Sequence, residues 1–143
     1  MDPESIHLVQ ANMRKIEGRA EEVGMAFYAR LFETHPELRP MFGNGLPSDF
    51  RSQSWKLVQM LALVVNGLSR IEKILPAVKQ LALRHVEYGV REEHYPVVGQ
   101  TLIWTLRRTL GSDFTADAET AWIEAFNLLS GAMIAAANEA ASS

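Results

Sequence analysis

The segment Leu75–Gln100 reads LPAVKQLALRHVEYGVREEHYPVVGQ and places one histidine inside an apolar helical pattern. Pro76 suits the first turn of a helix, where its missing N–H would have no intrahelical acceptor. Gly89 can end the helix in a left-handed conformation. We therefore predict a helix from Pro76 to Tyr88. Four of its residues recur at steps of three, one and three, which puts them on one buried face: Val78, Leu81, Ala82 and His85.

The rest of the chain carries the same helical spacing, and no stretch alternates as a half-buried strand does. Asp2 before Pro3 forms a cap and first turn, Ser48 or Asp49 can cap the third helix, and Thr115 can cap the last. The predicted helices are 3–18, 19–34, one that follows residue 49, 76–88, 92–110 and 115–138. Their unequal lengths favour crossed helices over an up-and-down bundle.

Composition limits the kind of protein. With 143 residues, 48% of them hydrophobic and 22% charged, we expect one domain over residues 1–143. The formal net charge of −3, without a run of lysine or arginine, argues against nucleic acid or an anionic membrane as the main partner. The acidic N-terminus is unlike a secretory signal, and the longest apolar run, Met60–Val65, is too short to cross a bilayer. We expect a cytoplasmic protein.

The chain contains no cysteine. Disulfides, thiolate zinc sites, iron–sulfur clusters and covalently attached haem are therefore excluded. His85 has two interpretations from the residues alone, a metal ligand or a core histidine bonded to a backbone carbonyl, and the core histidine is the more common case.

Two further polar side chains lie on faces otherwise given to the core. Gln53 extends the stripe that continues through Leu57 and Leu61, and Tyr28 lies among the apolar residues of the second helix. Both are candidates for a polar site in a pocket, and both could equally lie at the edge of a stripe and reach water or a carbonyl.

The motifs LRHVEYGV and EEHYPVVG, with THPELRPMF and SQSWKL before them and a Trp-bearing last helix after them, resemble bacterial globins. This group comprises single-domain haemoglobins and the globin half of flavohaemoglobins. The resemblance covers nearly the whole chain. It implies an all-α globin fold, in which crossed helices form a three-over-three sandwich around a haem pocket. In that fold the second and third helices cross closely, and the small residues Gly24 and Ser54 are suitably placed for this crossing.

The resemblance also implies roles for individual residues. His85 would be the axial ligand of a non-covalent haem b, and Tyr28 and Gln53 would face the bound gas. Phe42 would stack on the haem edge, with simple core burial as its alternative. Lys56 and Arg84 would be the cations nearest the propionates, although a solvated surface is the competing interpretation. Five aliphatic residues would line the pocket, although aliphatic stripes are ordinary core far more often than the wall of a cofactor site: Leu57, Leu81, Val90, Val98 and Leu102.

On the proximal side, Tyr95 matches the tyrosine that flavohaemoglobins place near the proximal histidine. The glutamate that usually completes this network corresponds here to Ala137, and Glu139 lies two residues further on. A carboxylate in that network raises the basicity of the imidazole and favours O–O cleavage. We therefore expect weak peroxidase activity.

These implications lead to several functional alternatives. The first is tight oxygen binding, with O2, CO and NO as ligands, for scavenging, storage or transport or for nitric oxide detoxification. A nitric oxide dioxygenase that works with a separate reductase is the enzymatic alternative, and a haem-based gas sensor is another. A helical interaction domain that binds no cofactor is the last. We expect a monomer or a weak homodimer.

Overall fold

The computed structural model describes residues 1–42 and 50–142, and all regular structure in these two ranges is helical. The predicted cap at Ser48 or Asp49 lies outside them. Short 3-10 segments at Pro36–Phe42, Leu68–Arg70 and Gly111–Asp113 connect the longer helices. The α-helices are α1 (Pro3–Glu17), α2 (Ala20–Thr34), α3 (Phe50–Asn66), α4 (Ile71–Glu87), α5 (His94–Leu110) and α6 (Ala116–Ser142).

Three of the predicted helix ends are confirmed by their hydrogen bonds. The Asp2 carboxylate accepts from the N–H of Ser5 at 2.8 Å, and the Thr115 hydroxyl accepts from the N–H of Ala118 at 3.1 Å. Gly89 has a φ of 88°, and the N–H of Val90 donates to the carbonyl of His85 at 3.0 Å. This arrangement satisfies carbonyls at the end of α4.

The predicted start of α4 is wrong. The helix begins at Ile71, so Pro76 lies inside it, although proline removes one hydrogen bond there. Ile74 explains the extension because it lies four residues before Val78, and both are buried. Burial of this extra turn offsets the missing bond. α5 begins two residues later than predicted, and α6 continues past residue 138 to Ser142.

The helices form the predicted three-over-three sandwich. α1, α3 and α4 make one layer and α2, α5 and α6 the other, with α2 crossing α3 and α4 packing on α6 between the layers. The α2–α3 crossing is as close as predicted, because a Cβ added to Gly24 would lie 2.2 Å from Cβ of Ser54. The largest fully buried side chains include Met13, Ile16, Leu31, Leu106 and Trp122.

Among the described helices, α6 is long and apolar enough by length and composition to span a membrane. This helix was not predicted as a candidate span, because only uninterrupted apolar runs were considered and polar residues interrupt α6. In the fold α6 contributes Trp122, Leu129 and Met133 to the core. The helix therefore has the features of a core helix, which passes the same test of length and composition.

Candidate functional site

A polar pair lies where α2 crosses α3. Tyr28 on α2 is only 4% exposed, and Nε2 of Gln53 on α3 donates a hydrogen bond to its hydroxyl oxygen at 3.2 Å. Burial raises the pKa of Tyr28 to about 12, and the hydrogen bond from Gln53 opposes part of this rise. Tyr28 is therefore a neutral phenol at physiological pH. The close crossing at Gly24 and Ser54 determines how near the two side chains come.

Aromatic rings surround the Tyr28 ring. Phe42 approaches it edge-on with ring centroids 5.3 Å apart, and Phe32 stacks on it at 6.0 Å. Phe32 also contacts Phe42 at 5.4 Å. Phe32 was not among the predicted site residues, although its position one helical turn after Tyr28 puts it on the same face. These rings form an aromatic cluster next to the polar pair.

His85 lies on the inner face of α4 and is partly buried. Its Nδ1 donates to the carbonyl of Leu81 at 2.8 Å, which is the backbone partner expected for a buried imidazole. Because Nδ1 carries the hydrogen, Nε2 has the lone pair. Burial lowers the pKa of His85, and the hydrogen bond to Leu81 opposes this in part. The neutral imidazole is thus favoured, as metal binding requires.

Within residues 1–42 and 50–142, Nε2 of His85 has no hydrogen-bond partner among the described contacts. The same ranges contain no group of three or more His, Asp or Glu side chains that could hold a metal ion. A bare ion at His85 would therefore find too few ligands in this part of the protein. A metal whose other ligands come with a cofactor, such as the iron of haem, fits a single neutral imidazole.

The apolar residues predicted to line the pocket are not all deeply buried. Leu102 is 3% exposed, whereas the others remain partly accessible: Leu57, Leu81, Val90 and Val98. A side chain that only fills the core is usually covered. Partial exposure on inward-facing stripes is what the walls of a cleft show, so these residues fit the apolar faces of a porphyrin.

The side chains of three predicted site residues form no polar contact in the described part of the structure. Lys56 and Arg84 are exposed, and neither pairs with a described carboxylate. Tyr95 is partly buried, which raises its pKa, and no described group hydrogen bonds to its hydroxyl. On α6, Ala137 is partly covered and Glu139 is exposed. The weak peroxidase activity expected from Ala137 in place of the usual glutamate remains a prediction.

Comparison with known proteins gives one family. The Globin family model matches residues 25–133 of the chain. Among curated proteins, the flavohemoprotein of Chromobacterium violaceum is 33% identical over 135 residues, which is 92% of this chain and 32% of that protein. The flavohemoprotein of Bacillus subtilis is 28% identical over 134 residues, or 94% of this chain and 33% of that protein. The chain thus spans about a third of the length of these relatives.

Solved structures show the same fold. A bacterial globin from Campylobacter jejuni aligns with a TM-score of 0.89 at 23% identity, over 99% of this chain and 100% of that one. An engineered carbene transferase, made from a candidate nitric oxide dioxygenase of Rhodothermus marinus, aligns with a TM-score of 0.86 at 25% identity, over 99% and 96% of the two chains. The agreement extends along the whole chain.

Proposed function

The chain belongs to the globin family, and from this membership and the pocket geometry we propose that it binds haem b without a covalent bond and holds oxygen tightly. The observation that carries the proposal is the state of His85. Its Nδ1 is engaged by Leu81, its neutral form is favoured by burial, and its Nε2 is left to ligate iron. The hydrogen bond to the Leu81 carbonyl also fixes the orientation of the ring.

The pocket residues divide between the two sides of the cofactor. On the proximal side His85 would bind the iron, while Leu81, Val90, Val98 and Leu102 would pack on the macrocycle. Leu57 and Phe42 would cover its distal side and edge, and the unpaired Lys56 and Arg84 would reach the propionates. When bound, the haem iron supplies reversible binding of O2, CO and NO.

Tyr28 and Gln53 would hold the bound gas. Both can donate a hydrogen bond toward a ligand in the pocket, and the contact between them keeps the two donors together. A pair of such bonds contributes roughly 1–3 kcal/mol, which is about ten- to hundredfold in affinity. The gain is selective for O2, because bound O2 accumulates more negative charge than CO.

The test is the oxygen dissociation rate of the haem-loaded protein. We expect Tyr28→Phe to raise this rate about tenfold or more and to change the CO rate much less. Tyr95→Phe is the matched control, because it removes a hydroxyl from the proximal side. Equal effects of the two substitutions on oxygen release would contradict the role of Tyr28.

Nitric oxide dioxygenase activity is a second candidate. It is supported by the flavohemoprotein relatives and by the neighbour from the candidate dioxygenase. Each turnover combines one NO, one O2 and one electron into nitrate, so continued activity needs a reductant. A single stoichiometric oxidation of the oxygenated protein by NO would fit oxygen binding alone. Sustained NO consumption with an added flavoprotein reductase would establish the enzyme.

A further inference from the structure

Charge is unevenly distributed along the chain. Residues 50–87, which form α3, α4 and the turn between them, contain six of the 14 Lys and Arg side chains but only two of the 17 Asp and Glu. Their formal charge is +4, so the rest of the chain carries −7. α6 contributes four acids and no base. The net charge of −3 therefore conceals a basic region on the two helices that hold Gln53 and His85.

Four exposed cations of this region, which we call the basic rim, are Lys56, Arg70, Lys73 and Arg84. Lys56 lies on α3 and Arg70 at the turn that leads into α4. Lys73 and Arg84 share one stripe of α4 with two other exposed residues, Ala77 and Gln80, at steps of four, three and four. None of the four cations pairs with a carboxylate within the ranges that the structure describes.

The two acids of the region cancel only part of this charge. Glu72 is seven residues before Lys79, which places it on another flank of α4. Glu87 continues the Lys73–Arg84 stripe at the end of the helix, three residues after Arg84, but forms no ion pair with it in the described structure. Unpaired arginines and lysines at a surface raise the local potential and attract anionic partners over about a Debye length. Two residues of the rim, Lys56 and Arg84, are those proposed to reach the propionates, so the rim includes the proposed edge of the haem.

We propose that the basic rim docks an acidic protein that donates single electrons to the haem iron. The inference rests on the proposed function, and it identifies the chemistry of the reductase that sustained turnover needs. In the step, the donor loses one electron and ferric iron gains it, with no bond formed between the proteins. Charge complementarity is the argument for the occupant, because it steers encounter and orients the complex.

A protein fits the rim better than a lipid surface. Membrane-binding helices carry large apolar side chains beside their cations. On α4 the strongly exposed apolar residues Leu83 and Val86 lie on the flank of Lys79, whereas the Lys73–Arg84 stripe contains Ala77 and Gln80. Three exposed apolar residues lie beside single cations of the rim: Leu63 shares a stripe with Lys56, Trp55 directly precedes Lys56, and Ile71 directly follows Arg70.

The experiment compares two charge reversals on the same helix. Lys73→Glu changes the rim, and Lys79→Glu makes the same change of charge six residues away, about 120° around the helix axis. Both lysines are exposed and neither is paired with a described acid. Reduced flavodoxin, an acidic one-electron donor, is mixed with the ferric haem-loaded protein by stopped flow at low and at high salt.

At low salt we expect Lys73→Glu to lower the second-order reduction rate about five- to tenfold, and Lys79→Glu to lower it less than twofold. High salt should remove most of the difference. Titration calorimetry with oxidised flavodoxin should show the same order of affinities. Equal effects of the two reversals on the reduction rate would overturn the proposal. It would also be overturned if Lys73→Glu abolished binding to phosphatidylserine vesicles but left the rate of reduction by flavodoxin unchanged.

Failure of the proposed function has a different signature. Dithionite, a small reductant, should reduce the wild type, Lys73→Glu and Lys79→Glu at one rate. The visible spectra of their oxygenated forms should also agree. A wild type that takes up no haem refutes the haem assignment itself. Normal haem and oxygen spectra with identical flavodoxin rates refute only the docking surface.

Discussion

The crossing of α2 over α3 makes Gly24 a position where a single methyl group should disturb both the fold and the site. A Cβ at Gly24 would lie 2.2 Å from Cβ and 2.6 Å from Cα of Ser54. Contacts this short with backbone cannot be relieved by rotating a side chain, so the helices must separate. Tyr28 is one turn after Gly24 and Gln53 precedes Ser54, so the same movement should lengthen their 3.2 Å hydrogen bond.

The magnitude follows from two opposing terms. Alanine is favoured over glycine in a helix by about 1 kcal/mol, whereas overpacking a core usually costs about 1–3 kcal/mol. Because the contact includes backbone, we take the upper end of that range and expect Gly24→Ala to lower the free energy of unfolding by about 1–2 kcal/mol. The melting temperature of a chain of this size should then fall by about 3–8 °C.

Urea and thermal unfolding of the protein without haem measure this effect, and oxygen release from the loaded protein measures the consequence for the site. Gly131→Ala on α6 is the matched control, because nothing described lies within 4 Å of its added Cβ. It should stabilise the protein by up to about 1 kcal/mol. Adding Ser54→Gly to Gly24→Ala should recover only part of the lost stability, because it removes the contact with Cβ of Ser54 but leaves the 2.6 Å contact with its Cα. If Gly24→Ala stabilises as Gly131→Ala does, the reasoning about the crossing is wrong.

Three further predictions follow from buried polar groups. Ser54→Ala should leave stability unchanged or raise it by up to about 1 kcal/mol in urea unfolding, because the buried hydroxyl of Ser54 has no partner in the described structure. Asn12→Ala should lower stability by about 1–3 kcal/mol, since it leaves the indole N–H of Trp122, now bonded to Asn12 at 3.0 Å, without an acceptor. For Tyr28 the folded pKa of about 12 exceeds the ordinary value of 10.0, so its contribution to stability is complete below pH 10 and is lost as pH rises towards 12. The absorbance of the phenolate should show one tyrosine that titrates well above pH 10, and Tyr28→Phe should remove that titration. A titration of Tyr28 itself near pH 10 would contradict the burial argument.

Helix existence and most helix ends could be predicted from the sequence, because caps are local. Asp2, Thr115 and Gly89 each act within a few residues, and each does what its type and position indicate. The start of α4 could not be read in this way. Its extension to Ile71 depends on burial of Ile74 against other helices, and this tertiary gain overrides the local preference of Pro76.

The candidate site was predictable in its residue types but not in its contacts. The spacing put Tyr28, Gln53 and His85 on inward faces, and the structure adds which atoms meet, including the Leu81 carbonyl on Nδ1. Phe32 was missed because an aromatic residue on a core face gives no signal of what lies beside it. The basic rim was missed for another reason, because the net charge of the whole chain averages the +4 of residues 50–87 with the −7 of the rest.

The central claim is that His85 holds the iron of a haem. The most direct measurement is the visible absorption spectrum of the protein supplied with haem, in ferric and ferrous forms, for the wild type, His85→Ala and the control His7→Ala, whose histidine is exposed on α1. The account predicts a strong Soret band for the wild type and His7→Ala, a weakened or lost band for His85→Ala, and partial recovery with free imidazole. A wild type that takes up no haem, or a spectrum unchanged by His85→Ala, would contradict it.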